Sequence, residues 1–437
     1  MKRILMIAYH FPPLAGSSGI QRTLRFVQHL PSFGWQPLVL TANPRAYERT
    51  SDDLMGEVPA DAIVHRAFAL DAARHLSLRG RYLGSMARPD RWISWKFDAV
   101  RVGLRMIKTY HPDAIWSTYP IATAHMIGAE LHRRTGVPWL ADFRDPMAQE
   151  GYPADPRTWQ SFKEIEMEAV RNADFSLFTT PGSARVYRQR YPEAAERVVV
   201  LENGYDEESF SVVAPKGERT APINPGCVTL LHSGVVYPSE RDPTQLIVAL
   251  RLLNDGGEIA VGELKIRFRA AGHEALLTQL ARTHGVEDFI ECCPPVAYRE
   301  ALSEMLRADG LLVMQGAGCN EQIPAKIYEY LRARRPIIAL TDPAGDTAAA
   351  LAAAGVQDIA PLDLAPAIAG QLLQFVNAVK RSEIALPSSE SVRQASRWER
   401  TAELARLLDS VVSRQLAVGE EGPQSKARIR PGGERVG

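Results

Sequence analysis

"ILMIAYHFPPLAGSSGIQRTLRFVQHLPSFGWQPLVLT", residues 4–41, changes its periodicity three times. Residues 4–9 form an unbroken apolar run that stops at Pro12-Pro13. The run is too short for the apolar region of a secretory leader and has no small-residue cleavage site, so it reads as a buried first strand. Residues 10–19, "HFPPLAGSSG", are too rich in Gly, Pro and Ser for regular structure. Ile20, Leu24, Val27 and Leu30 then fall on one helical face. Pro31 and Gly34 end that helix, and residues 37–41, "PLVLT", return as a strand. Strand, loop, helix, strand is the repeating unit of a doubly wound α/β sheet.

The unit recurs. Residues 114–118, 139–143, 175–180 and 197–203 read as further buried parallel strands, with helical stretches between them. Residues 206–225 lose the periodicity and gain Pro and charge, as an interdomain linker does. A second alternation follows, with strands expected at 228–234, 264–272, 289–293, 310–315, 336–340 and 356–360. The expected architecture is α/β, with two doubly wound Rossmann-like domains facing each other across a cleft. These are a first domain over 1–205, the linker over 206–225 and a second domain over 226–388. A C-terminal helix over 389–415 is expected near the interdomain region. Residues 416–437 have almost no large apolar side chains and are expected to be disordered. In open α/β sheets ligands bind outside the carboxyl ends of the strands, so site residues should lie just after strands.

Composition narrows the function. At 437 residues the chain is too long for one ordinary core. Lys plus Arg and Asp plus Glu are each 51, so no global charge attracts nucleic acid, and none is expected as a partner. The four cysteines, Cys227, Cys292, Cys293 and Cys319, include no C-x-x-C pair, which argues against structural zinc. No metal cage has ligands at suitable spacing, so no metal site is expected. G-x-G-x-x-G, G-x-x-x-x-G-K-[ST] and G-x-S-x-G are all absent, which removes the support for a nicotinamide dehydrogenase, a P-loop nucleotidase and a serine hydrolase. No run of eighteen apolar residues occurs, and a cytoplasmic location is expected.

The chemistry concentrates in "EQIPAKIYEYLRARRPIIAL", residues 321–340. The strand at 310–315 feeds a loop, and Pro324 suits the first helical position because its missing N–H would have been an orphan there. The amides of the following turn then make an anion site, to which Lys326 adds a full charge. Glu329, one turn on, shares a face with Lys326. A surface helix with an ordinary Lys–Glu pair is the plainer alternative.

Glu321 and Glu329, with seven residues between them in a second domain, resemble the motif of the retaining glycosyltransferases of GT-B fold, particularly family 4 (group 1). Four other segments resemble the same family in the same order: residues 12–41 its first loop and helix, "ADFRDPM" (141–147) its Asp-Phe-Arg-Asp-Pro element, "VVVLENGYDEESF" (198–210) its hinge, and "LLHSGVVYPSERDPTQLIVAL" (230–250) the opening loop of its second domain. The resemblance spans most of residues 1–415. It implies that Glu329 accepts hydrogen bonds from the ribose hydroxyls of a nucleotide-sugar, and that Glu321 holds the donor sugar. Lys326 and Arg241 would neutralise the diphosphate. Gly16, Gly19 and Gly234 would let backbone approach the ligand closely. The family's basic pair is broken here by Glu240 before Arg241, so Arg241 could instead pair with Glu240 or Asp242 on the surface.

Asp142, Arg144 and Asp145 follow a strand and fit either acceptor binding or a salt-bridge network in the cleft wall, with Asp142 the preferred site residue. His125, on a helix that starts near Ala122 ahead of that strand, is a second acceptor-side candidate, against the commoner reading of a packed histidine. The resemblance thus implies transfer of a sugar from a nucleotide-diphosphate-sugar, a co-substrate with no further cofactor, to a glycan or lipid-linked acceptor, in polysaccharide or glycolipid synthesis. A nucleotide-sugar epimerase of the same fold and a non-catalytic nucleotide-sugar-binding protein are the alternatives.

One stretch stands outside this reading. Residues 74–108 hold nine Lys or Arg against Asp90 and Asp98, a local excess of seven in a chain of zero net charge. Trp92, Trp95 and Phe97 lie in its middle. Aromatic rings favour the headgroup level of a bilayer, so this segment is expected to dock on an anionic membrane surface. A solvated helix with its tryptophans in the core is the competing expectation.

Overall fold

The computed structural model describes residues 1–17, 19–79, 81–213 and 221–420. Strands β1 (Lys2–Ile7), β2 (Trp35–Ala42), β3 (Ile63–Ala67), β4 (Ala114–Thr118), β5 (Trp139–Arg144), β6 (Phe175–Phe178) and β7 (Val198–Val200) make one parallel sheet in the order β3-β2-β1-β4-β5-β6-β7. Strands β8 (Val228–Ser233), β9 (Leu264–Arg269), β10 (Ile290–Cys293), β11 (Gly310–Gln315), β12 (Ile337–Thr341) and β13 (Ile359–Ala360) make a second, in the order β10-β9-β8-β11-β12-β13. The central strands of both sheets are buried on two faces. In β1, Ile4, Met6 and Ala8 enter one apolar cluster while Leu5, Ile7 and Tyr9 enter another. This explains the continuous rather than alternating apolar run.

Strand order reverses between β1 and β4 in the first sheet and between β8 and β11 in the second. The loops after those four strands therefore flank the two crevices where a parallel sheet accepts ligands. The Gly-rich loop follows β1, the loop with Gly234 and Arg241 follows β8, and the loop with Glu321 follows β11.

The chain passes between the domains twice, side by side. Tyr205 N–H donates to Ala395 C=O at 3.1 Å and Arg397 N–H to Tyr205 C=O at 2.8 Å. A Cβ at Gly204 would stand 2.8 Å from that Ala395 oxygen, so only glycine admits the approach. After the second crossing, the helix Arg397–Glu420 lays Leu404, Leu408 and Val411 against the first sheet, among Ile4, Trp35 and Trp116. The C-terminal end of the chain thus completes the first domain's core. Among the described residues no helix is long and apolar enough to cross a membrane.

Several segments differ from expectation. Ile63–Ala67, unassigned from sequence, is a strand, paired in parallel with β2. Residues 206–225 are not all irregular: Glu207–Val213 is a helix, because Asp206 Oδ2 accepts from Ser209 N–H at 2.9 Å and Phe210 is fully buried. The rest of that segment from 214 to 220 lies outside the described residues. The strand expected over 356–360 shrinks to Ile359–Ala360, since Val356 N–H turns back to Leu351 C=O at 3.0 Å. Residues 389–415 are two helices, Ser389–Gln394 and Arg397–Glu420. The second reaches into the stretch read as tail, whose remainder, 421–437, lies outside the described residues.

Candidate active site

In the second domain β8 carries His232 into the core and then turns through Ser233 and Gly234. Gly234 has φ +110°, and a Cβ there would stand 3.4 Å from Lys326 Nζ. The ammonium thus lies over a backbone that only glycine leaves bare. Lys326 Nζ is 3.1 Å from His232 Nε2, and His232 Nδ1 is 3.0 Å from the Leu312 carbonyl oxygen. A carbonyl only accepts, so Nδ1 carries the proton and the Nε2 lone pair faces the lysine. The ring is held neutral: burial, then Lys326, pushes its pKa well below the usual value.

Lys326 is itself perturbed. Burial, then the neighbouring Arg241, pushes its pKa down to about 7, opposed by Glu329. Burial pushes the Glu329 carboxyl the other way, up, against its hydrogen bond from Tyr298 and the charges of Arg397 and Lys326. Tyr298 Oη donates to Glu329 Oε1 at 2.8 Å. Arg397, at the second domain crossing, is pushed down to about 10 by burial. Arg241 Nη1 donates to Val235 C=O at 3.1 Å, and its guanidinium lies 5.3 Å from the Tyr237 ring centre. Its approach to Glu240 is only 3.9 Å, and its Nε is buried without a partner. The alternative surface pair is therefore loose, and the charge of Arg241 is felt at Lys326. Two cations and a carboxylate so gathered have spare charge for a dianion and spare acceptor capacity for hydroxyls.

Helix Lys326–Ala333 starts later than expected. Pro324 precedes the cap position, Ala325, rather than occupying the first helical one. Its carbonyl accepts from Ile327 N–H at 3.0 Å, and Ala325 C=O accepts from Tyr328 N–H at 3.3 Å. These two amides are thus taken by tight turns and do not point into the loop. The anion site is mainly side-chain charge.

Glu321 lies on the loop ahead of that helix, at the seam between the domains. Its carbonyl oxygen accepts from Thr180 Oγ1 at 2.6 Å and Ser183 Oγ at 3.3 Å, and its side chain is exposed. Next to it, Asp346 accepts from Gly182 N–H and pairs with Arg185 at 3.1 Å. These contacts tie the loop after β11 to the start of helix Pro181–Arg190 and hold the cleft together at one end.

In the first domain the acceptor-side expectations need correction. Asp142 is fully buried: Arg22 grips it through Nε at 3.0 Å and Nη2 at 2.8 Å, and Thr118 Oγ1 donates at 2.8 Å. The salt-bridge reading of this cluster describes the carboxylate, which is spent on holding the wall. His125 is likewise fully buried, with Nδ1 2.8 Å from Ser117 Oγ and its ring 4.7 Å from that of Phe143. Burial pushes its pKa down to about 4, as for a packed neutral ring.

The loop after β1 instead brings up residues the sequence did not single out. His10 Nδ1 is 2.9 Å from Ser17 Oγ, which also accepts from Gly19 N–H at 3.2 Å. A Cβ at Gly19 would come within 2.6 Å of Arg144 Nη1 and 2.7 Å of His10 Nδ1, so this glycine is required for packing. Gly16, at φ +81°, is exposed with open space beside it, and residue 18 lies outside the described residues. Arg144 adopts φ +64° at the end of β5 and makes no ion pair among the described residues. His10 and His232 share one readable signal: each lies near the carboxyl end of the first strand of its domain, ahead of a glycine-containing loop.

Residues 18–204 match the family described as "Glycosyl transferase 4-like domain". No curated protein matches the chain. Among solved structures, the chain is similar to an α,α-trehalose-phosphate synthase (UDP-forming) from Burkholderia vietnamiensis, with 12% identity over 95% of this chain and 100% of that one, at TM-score 0.60. It is similar to a sucrose-phosphate synthase from Thermosynechococcus elongatus, with 13% identity over 96% and 100%, at TM-score 0.57. It is also similar to Anabaena Alr3699/HepE in complex with UDP, with 14% identity over 97% and 100%, at TM-score 0.57. The two parallel-sheet domains are those of the GT-B fold.

Proposed function

We propose that this two-domain chain is a retaining glycosyltransferase, which moves a sugar from a nucleoside-diphosphate-sugar to the hydroxyl of a glycan or lipid-linked acceptor. The observation that carries the reading is that Arg241 and Glu329 both act on the buried Lys326, whose ammonium lies over Gly234 at the point where the second sheet reverses its strand order. The match of residues 18–204 to a glycosyl transferase family supports it, as does the likeness to Alr3699/HepE, a protein whose structure holds UDP. The reading places the chain in the cytoplasm.

In this reaction the bond between the anomeric carbon and the diphosphate oxygen breaks, with positive charge developing on the sugar. The acceptor oxygen bonds to that carbon from the face the diphosphate leaves, and the acceptor's proton passes to a diphosphate oxygen. Configuration is therefore retained without a protein nucleophile. Lys326 and Arg241 meet the charge that grows on the leaving group, which is where preorganised cations lower a barrier most. Glu329 takes the ribose hydroxyls, and Glu321, at the domain seam, takes the sugar. With leaving-group charge met by side chains, turnover is expected to be unchanged by a chelator. Loss of most activity on chelation, restored by magnesium, contradicts this part.

The two glutamates separate the roles. Glu329→Ala is expected to weaken a nucleoside diphosphate by about 10–100-fold, the worth of charge-assisted hydrogen bonds. Glu321→Ala is expected to leave that affinity within about twofold and to lower kcat, since its partner is the sugar. Calorimetry on both variants decides. Equal losses of nucleotide affinity mean that the loop and helix were merely damaged.

A further inference from the structure

The segment between β3 and helix Trp95–Tyr110 has a surface unlike the rest of the molecule. Of the eighteen exposed large apolar side chains among the described residues, seven lie within residues 68–97: Phe68, Leu76, Leu78, Tyr82, Leu83, Met86 and Phe97. Leu78 is 80% exposed, Phe97 76% and Leu83 70%, so these are whole side chains in water rather than rims of the core. Such a concentration marks an interaction surface. Leu78 N–H donates to Arg81 C=O at 2.8 Å and Arg81 N–H to Leu78 C=O at 3.1 Å, which closes a tight turn at the tip.

Charge says what covers it. No Asp or Glu occurs from residue 72 to residue 89. Several of the nine cations of residues 74–108 are used internally: Arg74 donates to Tyr47 C=O, Arg91 pairs with Asp71 at 2.9 Å, and Arg101 with Asp98 at 2.7 Å. Arg88 stands 3.9 Å from Asp155. Arg79, Arg81, Lys96, Arg105 and Lys108 make no ion pair among the described residues. Asp90 does not offset them at the surface, since its carboxylate is turned inward onto Thr123. The tryptophans expected at the membrane are not there: Trp95 is fully buried, and Trp92 packs on Tyr9 with ring centres 4.8 Å apart. They anchor the segment to the first domain, and leucines, methionine and phenylalanines are what it presents.

We propose that residues 76–79 and 81–86 dock this protein on an anionic lipid bilayer, with Leu78 and Leu83 entering the interface and Arg79 and Arg81 meeting the headgroups. A nucleic acid would answer the arginines and leave the leucines in water. An apolar protein groove would bury the leucines and strand the arginines without partners. The interface of an anionic membrane accepts both. Because the segment leaves the carboxyl end of β3, it rises from the same edge of the sheet as the loops after β1 and β5. Docking would therefore turn the mouth of the cleft toward the lipid. This goes beyond the glycosyl-transfer reading and does not depend on it.

Sedimentation of the full chain with vesicles of phosphatidylcholine, alone or mixed with phosphatidylglycerol, tests it. Binding is expected to the mixed vesicles only, weakening as salt rises. Arg79→Ser with Arg81→Ser should weaken it by about 25-fold, at about fivefold for each basic residue near the surface. Leu78→Ser with Leu83→Ser should weaken it comparably. Both pairs are exposed, so thermal midpoint and nucleoside-diphosphate affinity should stay unchanged in each variant, which separates this result from any failure of the glycosyl-transfer reading. Absence of binding, equal binding to neutral vesicles, or binding that survives either pair of substitutions overturns the proposal.

Discussion

Lys326→Met is expected to lower kcat by about 10²–10³-fold, the usual cost of removing one preorganised donor from a site where negative charge develops. The effect should fall on kcat more than on folding. Methionine matches the length of the lysine stem, and Glu329 keeps its bond from Tyr298; the buried His232 Nε2 loses its donor, a cost of about 1–3 kcal/mol that falls on stability rather than on kcat. Lys326→Arg should not restore the rate. The ammonium sits 3.4 Å from where a Cβ would stand on Gly234, and a planar guanidinium has no room to lie over that turn. A Lys326→Met variant with near-normal kcat and unchanged nucleotide affinity means that Lys326 belongs to a structural pair with His232 and that the leaving group is met elsewhere.

Asp142→Ala is expected to destabilise the chain by about 3–5 kcal/mol, because breaking a buried pair from one side leaves the other charge in place without its partner. Arg22 would keep the carbonyls of Leu201 and Glu202, both at 3.0 Å, and Asn203 Oδ1 at 3.4 Å, none of them charged, in a site where its side chain is 3% exposed. Since those carbonyls lie just before the domain crossing, loss of Asp142 should loosen the hinge as well as the sheet. Denaturant unfolding, followed by a probe in each domain, measures this. If Asp142→Ala unfolds like the parent but loses kcat, the carboxylate serves a substrate rather than the wall.

The contrast between these two residues shows what sequence pattern carries and what it does not. The central strands of both sheets were legible because they are buried on two faces, which forces continuous apolar runs such as 4–9 and 310–315. Ile63–Ala67 was not, since it is an edge strand whose Ile63, Val64, His65 and Arg66 are only partly buried. Lys326 and Glu329 were legible because one helical turn relates them. Asp142 was placed correctly at a strand end, yet its partner Arg22 is 120 residues away, and no local pattern announces that the charge is already spent. His232, Tyr298 and Arg397 escaped for the same reason. They come from a strand, a helix start and the second domain crossing, and only folding brings them to Lys326 and Glu329. In residues 74–108 the excess of positive charge was legible, but which side chains face water was not. The tryptophans went inward because Tyr9 and the core behind it offered a ring-sized partner.

The central claim is that the second domain binds a nucleoside diphosphate through Lys326, and proton linkage tests it most directly. In the unliganded protein Lys326 titrates at about 7, so near pH 8 most molecules hold it neutral. A bound diphosphate favours the charged form and raises that pKa, so binding must take up a proton. Affinity should then be flat below pH 7 and fall by about tenfold per pH unit above it, until the pKa of the complex is reached. Calorimetric titration of a nucleoside diphosphate near pH 8, in two buffers of different ionisation heat, reads the uptake. Uptake approaching one proton is expected in the parent and none in Lys326→Met, which should also bind more weakly below pH 7. Absence of binding, or binding with the same proton balance in both proteins, contradicts it.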